Sequence, residues 1–288
     1  MEDSRRSALK KMLAGSALLS TIPLWEVKAN NDMNLKGNIN HSVCAWTYNH
    51  LSLDELCGTI KAMGFNAIDL VGPKDWPTLQ KHGVVSSMCN GAEINLVHGF
   101  NNPTYHQKLI DNYTDMIPRV AKAGYKNLIC FSGNRDGIDD ETGMKNSLVG
   151  LKKIIGLAEQ HGVTLQMELL NSKVDHPDYM ADNSTWGVEL AKQLGSENFK
   201  LLYDIYHMQI DEGDVIRTIR NNHQYFGHYH TAGNPGRNEI NHTQELNYPA
   251  IMKAIADTGF KGYVAQEFIP KAENKVASLR EAIKICDV

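Results

Sequence analysis

Four apolar runs in the second half of the chain each finish on a side chain that can hold a metal ion: TLQME at Glu168, KLLYD at Asp204, FGHYH at His230 and YVAQE at Glu267. Three carboxylates beside one imidazole form a hard, oxygen-rich donor set, which suits one divalent cation, Mn²⁺ or Mg²⁺ with Co²⁺ tolerated, better than a cysteine- or histidine-rich zinc site. A single carboxylate at a strand end is more often a helix cap or an ion-pair partner. Four on successive runs, 36, 26 and 37 residues apart, argue otherwise. Three like charges gathered at one place repel and raise their own pKa values unless a cation compensates them. His207 follows Asp204 by three residues in YDIYH, and spacing alone leaves open whether it grips the same ion or touches a substrate.

The elements that must position these groups repeat. KAMGFNAIDL, KHGVVSSMC, KAGYKNLICF, EQHGVTLQME and DTGFKGYVAQE each join a helix-like segment, a glycine and a short β-rich run. Gly64, Gly83, Gly124, Gly162 and Gly259 suit the left-handed position just past a helix end, where a residue without Cβ meets no steric penalty. Eight strands are expected at 42–47, 66–71, 84–89, 127–132, 164–170, 199–205, 225–230 and 263–268. Amphipathic helices are expected at 52–63, 105–123 and 184–194 among others. Ser52 and Glu55 read as a capping box, and Asp182 and Asn183 as N-cap candidates. Eight β/α units fit one closed (β/α)₈ TIM barrel of the α/β class, whose chemistry sits at the C-terminal ends of its strands. Alternation then turns Gln166 and Glu168, His228 and His230, and Ala265 and Glu267 inward.

The 288 residues carry 42% hydrophobic side chains and a formal net charge of −4, so the chain presents no basic field for nucleic acid. Residues 1–29 differ in character. SRRSALKK followed by MLAGSALLSTIPLW reads as a twin-arginine-type export signal, with Val27 and Ala29 supplying a cleavage site, and it is too short to stay as a membrane anchor. The barrel is thus expected over 30–288, exported to the periplasm, or cytoplasmic if the leader does not function. Cys44, Cys57, Cys89, Cys130 and Cys286 form no C-x-x-C pair and are expected to be buried apolar residues, not a disulfide framework.

MELLN at 167–171, YDIYHMQ at 203–209, GHYHTAGNPGRNE at 227–239, QELNYPAI at 244–251 and GYVAQEF at 262–268 resemble the hydroxypyruvate isomerase family, within the xylose-isomerase-like barrel superfamily of sugar isomerases and epimerases. The resemblance implies that Glu168, Asp204, His230 and Glu267 ligate one ion, that Glu168 and Glu267 are the acid/base pair, and that His207 hydrogen-bonds substrate oxygen without ligating. It places Arg237 at the oxygen-rich end of the substrate, with Asn171, Lys173 and Glu239 as further substrate contacts. Lys173 stands where relatives often carry arginine. The implied reaction interconverts hydroxypyruvate and tartronate semialdehyde, or a similar small hydroxycarbonyl compound, by proton transfer through an enediolate. A ketose 3-epimerase or inosose-type dehydratase would use the same rim. An apurinic-site endonuclease of this barrel needs additional histidines after strands two and three, which AIDLVG and VVSSMC lack, and a non-catalytic sugar-binding protein would not need two glutamates. Barrels of this superfamily often pair, which leaves a homo-oligomer open, but no exposed apolar face in the sequence identifies an interface. Trp46 and His98 are candidates to wall the pocket, and His223, His228 and His242 are expected to be structural or surface residues.

Overall fold

The structure, a computed structural model, describes residues 33–288. The export leader expected at 1–29, with its expected cleavage site, lies outside the described residues. Eight strands form in chain order: β1 Asn40–Cys44, β2 Ala67–Val71, β3 Val85–Cys89, β4 Asn127–Cys130, β5 Thr164–Leu169, β6 Phe199–Asp204, β7 Phe226–Thr231 and β8 Tyr263–Gln266. Each pairs in parallel with the next, and β8 pairs back onto β1 to close the barrel. Closure removes every sheet edge, and both faces of each strand are covered, so the strands read as near-continuous apolar runs.

Around this barrel lie α1 Leu53–Lys61, α2 Trp76–His82, α3 His106–Lys122, α4 Asp140–Leu151, α5 Ile155–His161, α6 Ser184–Leu194, α7 Ile205–Asp211, α8 Val215–Asn222, α9 Tyr248–Asp257 and α10 Lys275–Cys286. On α3 the buried residues Leu109, Tyr113, Met116, Ile117 and Val120 recur at three- and four-residue steps and face the sheet. The glycines expected after helices do adopt left-handed backbone, with φ of 89° at Gly64 and 64° at Gly162. The capping box on α1 forms: Ser52 Oγ accepts from Glu55 N, and Glu55 Oε2 accepts from Ser52 N. Replacing Ser52 by Ala is expected to cost about 1 kcal/mol, read in calorimetry as a fall in Tm of about 2–4 °C. At α6, Asn183 is the cap. Asp182 instead pairs with Arg135 at 3.2 Å and accepts from Ser172 Oγ.

Three strands stop two or more residues short of expectation, the eighth at Gln266 against an expected 268. The first leaves the sheet at Cys44, because Thr47 Oγ1 turns back to the Cys44 carbonyl at 3.0 Å and winds Ala45–Tyr48 into a short 3₁₀ helix. The fourth ends at Cys130, since Phe131 and Ser132 give their carbonyls to the backbone of Phe100 and Asn101. All five cysteines are free and buried, as expected. Among the described residues, no helix is long and apolar enough to cross a membrane.

Strand register determines which side chains meet. Glu168 lies opposite Leu202, Asp204 opposite His230, and His230 opposite Ala265. The offset between successive candidate ligand positions is therefore two residues, none and two. Because facing alternates with a period of two, even offsets keep all four side chains on the inner face.

Candidate active site

Glu168 is the next-to-last residue of β5, Asp204 ends β6, His230 is one short of the end of β7, and Glu267 directly follows β8. His230 Nδ1 is the hub. It lies 3.0 Å from Glu168 Oε1, 3.1 Å from Glu267 Oε2 and 3.9 Å from Asp204 Oδ2. One ligand atom from each of the four residues lies within 4.8 Å of the others, and all four side chains are buried. Asp204 is oriented by its place as N-cap of α7, its Oδ1 accepting from Tyr206 N at 2.8 Å and His207 N at 3.1 Å. Its other oxygen is left to face the hub.

The charge state of this cluster tests whether a cation fits. Burial, then the Glu267 carboxylate, pushes the Asp204 carboxyl up to about 8. Burial also raises Glu168, against the pull of His230. Glu267 resists its burial and is held well below the usual carboxylate range by His230 and Arg237. His230 is raised well above the usual imidazole range in spite of burial, chiefly by Glu267. Burial thus opposes the ionisation of Asp204 and Glu168, while His230 and Arg237 offset the charge of Glu267. A divalent cation supplies the same compensation, and three carboxylates with one imidazole are donors that would hold it.

A second layer encloses the cluster. Arg237 Nη2 donates to Glu267 Oε2 at 2.6 Å, and Trp46 Nε1 donates to Glu267 Oε1 at 3.0 Å. The Arg237 guanidinium carbon stands 5.4 Å from the ring centre of Trp46 and 5.8 Å from that of Tyr206, within reach of cation–π attraction to both. His207 is fully buried. Asn171 Oδ1 accepts from Val174 N and Asp175 N, which turns its amide nitrogen toward His207 Nδ1 at 2.5 Å. Burial first, then the nearby Arg237, lowers the His207 pKa well below its ordinary value. A neutral ring that accepts at Nδ1 carries its proton on Nε2. That Nε2 has no hydrogen-bond partner and lies 3.7 Å from Asp204 Oδ2.

Not every candidate converges. Lys173 is exposed and its Nζ donates to the carbonyls of Ile210 and Asp211, where a cation suits the end of α7. Glu239 Oε1 accepts from Lys271 N, Ala272 N and Ser278 Oγ and so clamps the segment before α10. Both carboxylate and ammonium are spent on backbone, and neither joins the cluster. Asn171 reaches the site through His207. Trp46 walls the site, whereas His98 stacks on Tyr105 at 4.4 Å and bonds Asn95. His223 and His242 are exposed, and His228 is fully buried behind His230.

Asp69 was absent from the candidate set and lies against it, with Oδ1 3.0 Å from His230 Nε2. A signal was available: in AIDLV, alternation puts Asp69 inward with Ala67 and Val71, and a buried aspartate must have partners.

The model of the xylose isomerase-like TIM barrel family matches residues 59–286. A putative hydroxypyruvate isomerase from Homo sapiens is 30% identical over 126 residues, 44% of this chain and 46% of that protein. The match spans less than half of the human relative's length. The hydroxypyruvate isomerase of Escherichia coli K12 is 26% identical over 228 residues, 75% of this chain and 87% of that protein. Among solved structures, a 3-keto-D-glucoside 4-epimerase from E. coli superposes with a TM-score of 0.72 at 16% identity, over 85% of this chain and 98% of that one. With a family match over most of its length and a closed eight-stranded parallel barrel, the chain belongs to the xylose isomerase-like TIM barrel family.

Proposed function

We propose that the protein is a divalent-cation-dependent isomerase that moves a proton between adjacent carbons of a small hydroxycarbonyl compound, with hydroxypyruvate and tartronate semialdehyde as the first pair to test. The observation that carries this reading is the convergence of two glutamates, Glu168 and Glu267, on one imidazole nitrogen at 3.0 and 3.1 Å. Held by Glu168, Asp204, His230 and Glu267, the cation would act as a Lewis acid for the carbonyl and hydroxyl oxygens, offsetting the negative charge of an enediolate.

The side chains divide the remaining work. One of Glu168 and Glu267 would take the proton from carbon and the other return it, Glu267 being fixed in place by Trp46 Nε1 and Arg237 Nη2. His207 offers a fixed N–H to a substrate oxygen. Arg237 suits a carboxylate or another oxygen-rich end, since its planar fork binds two oxygens at once. The relatives named hydroxypyruvate isomerase support the substrate class. A ketose 3-epimerase would use the same glutamates, and the 41% exposed Trp46 beside Glu267 offers a flat face for a sugar ring. The twin-arginine-like run of residues 1–29 supports a periplasmic location for this chemistry.

The deciding experiment assays the Mn²⁺-loaded protein on hydroxypyruvate and on a panel of free ketoses. Turnover of hydroxypyruvate supports the lead reading; turnover of a ketose alone replaces the substrate and keeps the proton-transfer pair. His207→Ala is expected to retain bound Mn²⁺ and to lose about 10- to 100-fold in kcat/KM, the worth of a hydrogen bond to developing charge. Metal analysis of the purified variant checks the first half. An empty site would make His207 a ligand.

A further inference from the structure

His230 can give a cation its Nδ1 lone pair only if its proton sits on the other nitrogen, and which nitrogen is protonated depends on what each one faces. Nδ1 faces Glu168, Glu267 and Asp204, and Nε2 faces Asp69 Oδ1 at 3.0 Å. A carboxylate only accepts, so each of these contacts favours a proton on the nitrogen it faces; a cation would displace the one on Nδ1, while Asp69 keeps the one on Nε2.

Asp69 is built to do this. It is fully buried. Its Oδ2 accepts from Ser87 Oγ at 2.8 Å, and Ser87 Oγ in turn meets Ser42 Oγ at 2.6 Å. The same Oδ2 lies 2.8 Å from His228 Nε2, and the Cys44 thiol donates to Oδ1 at 3.6 Å. The backbone departs from regular strand at the same place. Register between β2 and β3 shifts on both sides of Asp69, and the next residue, Leu70, sits at φ 58°. A bulky residue in left-handed backbone is costly, and such irregularities persist where they aim a side chain.

We infer that Asp69 is a positioning residue for the cation site, holding His230 in the form that presents Nδ1 to the three carboxylates. The inference rests on the reading that this cluster holds a divalent cation. Carboxylates behind ligand histidines commonly contribute 10- to 100-fold to metal affinity.

Calorimetric titration of the metal-free chain with Mn²⁺ alone tests it, with wild type and Asp69→Asn compared at one pH. Asp69→Asn keeps the volume and is expected to bind Mn²⁺ about 10- to 100-fold more weakly, with an unchanged circular dichroism spectrum. A merely structural role would lower Tm and leave the affinity alone. Independently of any variant, ¹⁵N spectra of the Zn²⁺-loaded wild type are expected to show His230 protonated at Nε2 and ligating through Nδ1. If Asp69→Asn does not fold, this spectrum decides. Wild-type affinity in a folded Asp69→Asn protein, or ligation through Nε2, would overturn the inference. A wild type that binds neither ion overturns the cation reading and this inference with it.

Discussion

Glu267→Gln is expected to lower kcat by about 10²- to 10⁴-fold, the usual contribution of one general acid or base, in a protein that still folds. An amide cannot take a proton from carbon. The isosteric change also disturbs three fixed contacts, because Glu267 accepts from Trp46 Nε1 and Arg237 Nη2 and lies 3.1 Å from His230 Nδ1. Glutamine must turn its NH₂ toward one of these donors. Part of the loss is therefore a weaker hold on the cation, and kcat has to be compared at saturating Mn²⁺ with bound metal measured. Turnover within tenfold of wild type at full occupancy would remove Glu267 from the proton-transfer pair. The contact to Arg237 carries a further consequence for the wild type. A substrate carboxylate that drew the guanidinium away would remove one of the two charges, His230 being the larger, that hold the Glu267 pKa down.

The barrel and the four-residue cluster were legible in sequence for one physical reason. Strand alternation and left-handed glycines constrain direction locally, so a residue at a strand end has a known face. Glu168, Asp204, His230 and Glu267 all lie at such positions. Lys173 and Glu239 do not, and their heads were captured by backbone groups far along the chain, at Ile210 and Asp211 and at Lys271 and Ala272. Nothing local specifies those partners. Trp46 became a contact of Glu267 only because the first strand ends early and winds into a 3₁₀ turn. Asp69 is the instructive omission, since its facing was readable from AIDLV. Barrel chemistry is expected at strand ends, whereas Asp69 is mid-strand, beside a register shift that no local pattern announces.

Cation affinity is expected to rise with pH by at least about tenfold per unit between pH 6 and pH 8. The cause is Asp204, whose carboxyl burial and Glu267 push up to about 8 in the metal-free protein. Ligands bind metal in their deprotonated form, so below pH 8 the ion must displace that proton, one per ion bound. His230, also raised, would make the slope steeper. The same shift governs folding with the opposite sign for the metal-free chain. With an ordinary value of 3.8 and a folded value near 8, Asp204 binds more proton in the folded state than in the unfolded state across that interval. Its contribution to stability therefore falls as pH rises from about 4 to 8. Mn²⁺ at 100 times its dissociation constant adds about 2.7 kcal/mol, roughly 5–10 °C in Tm for a chain of this size. At a fixed Mn²⁺ concentration the gap in Tm between loaded and metal-free protein should accordingly widen from pH 6 to pH 8. Scanning calorimetry across that range, paired with Mn²⁺ titrations, measures both slopes. A gap and an affinity that stay flat with pH would mean that Asp204 does not give up a proton to the ion, and would take it out of the ligand set.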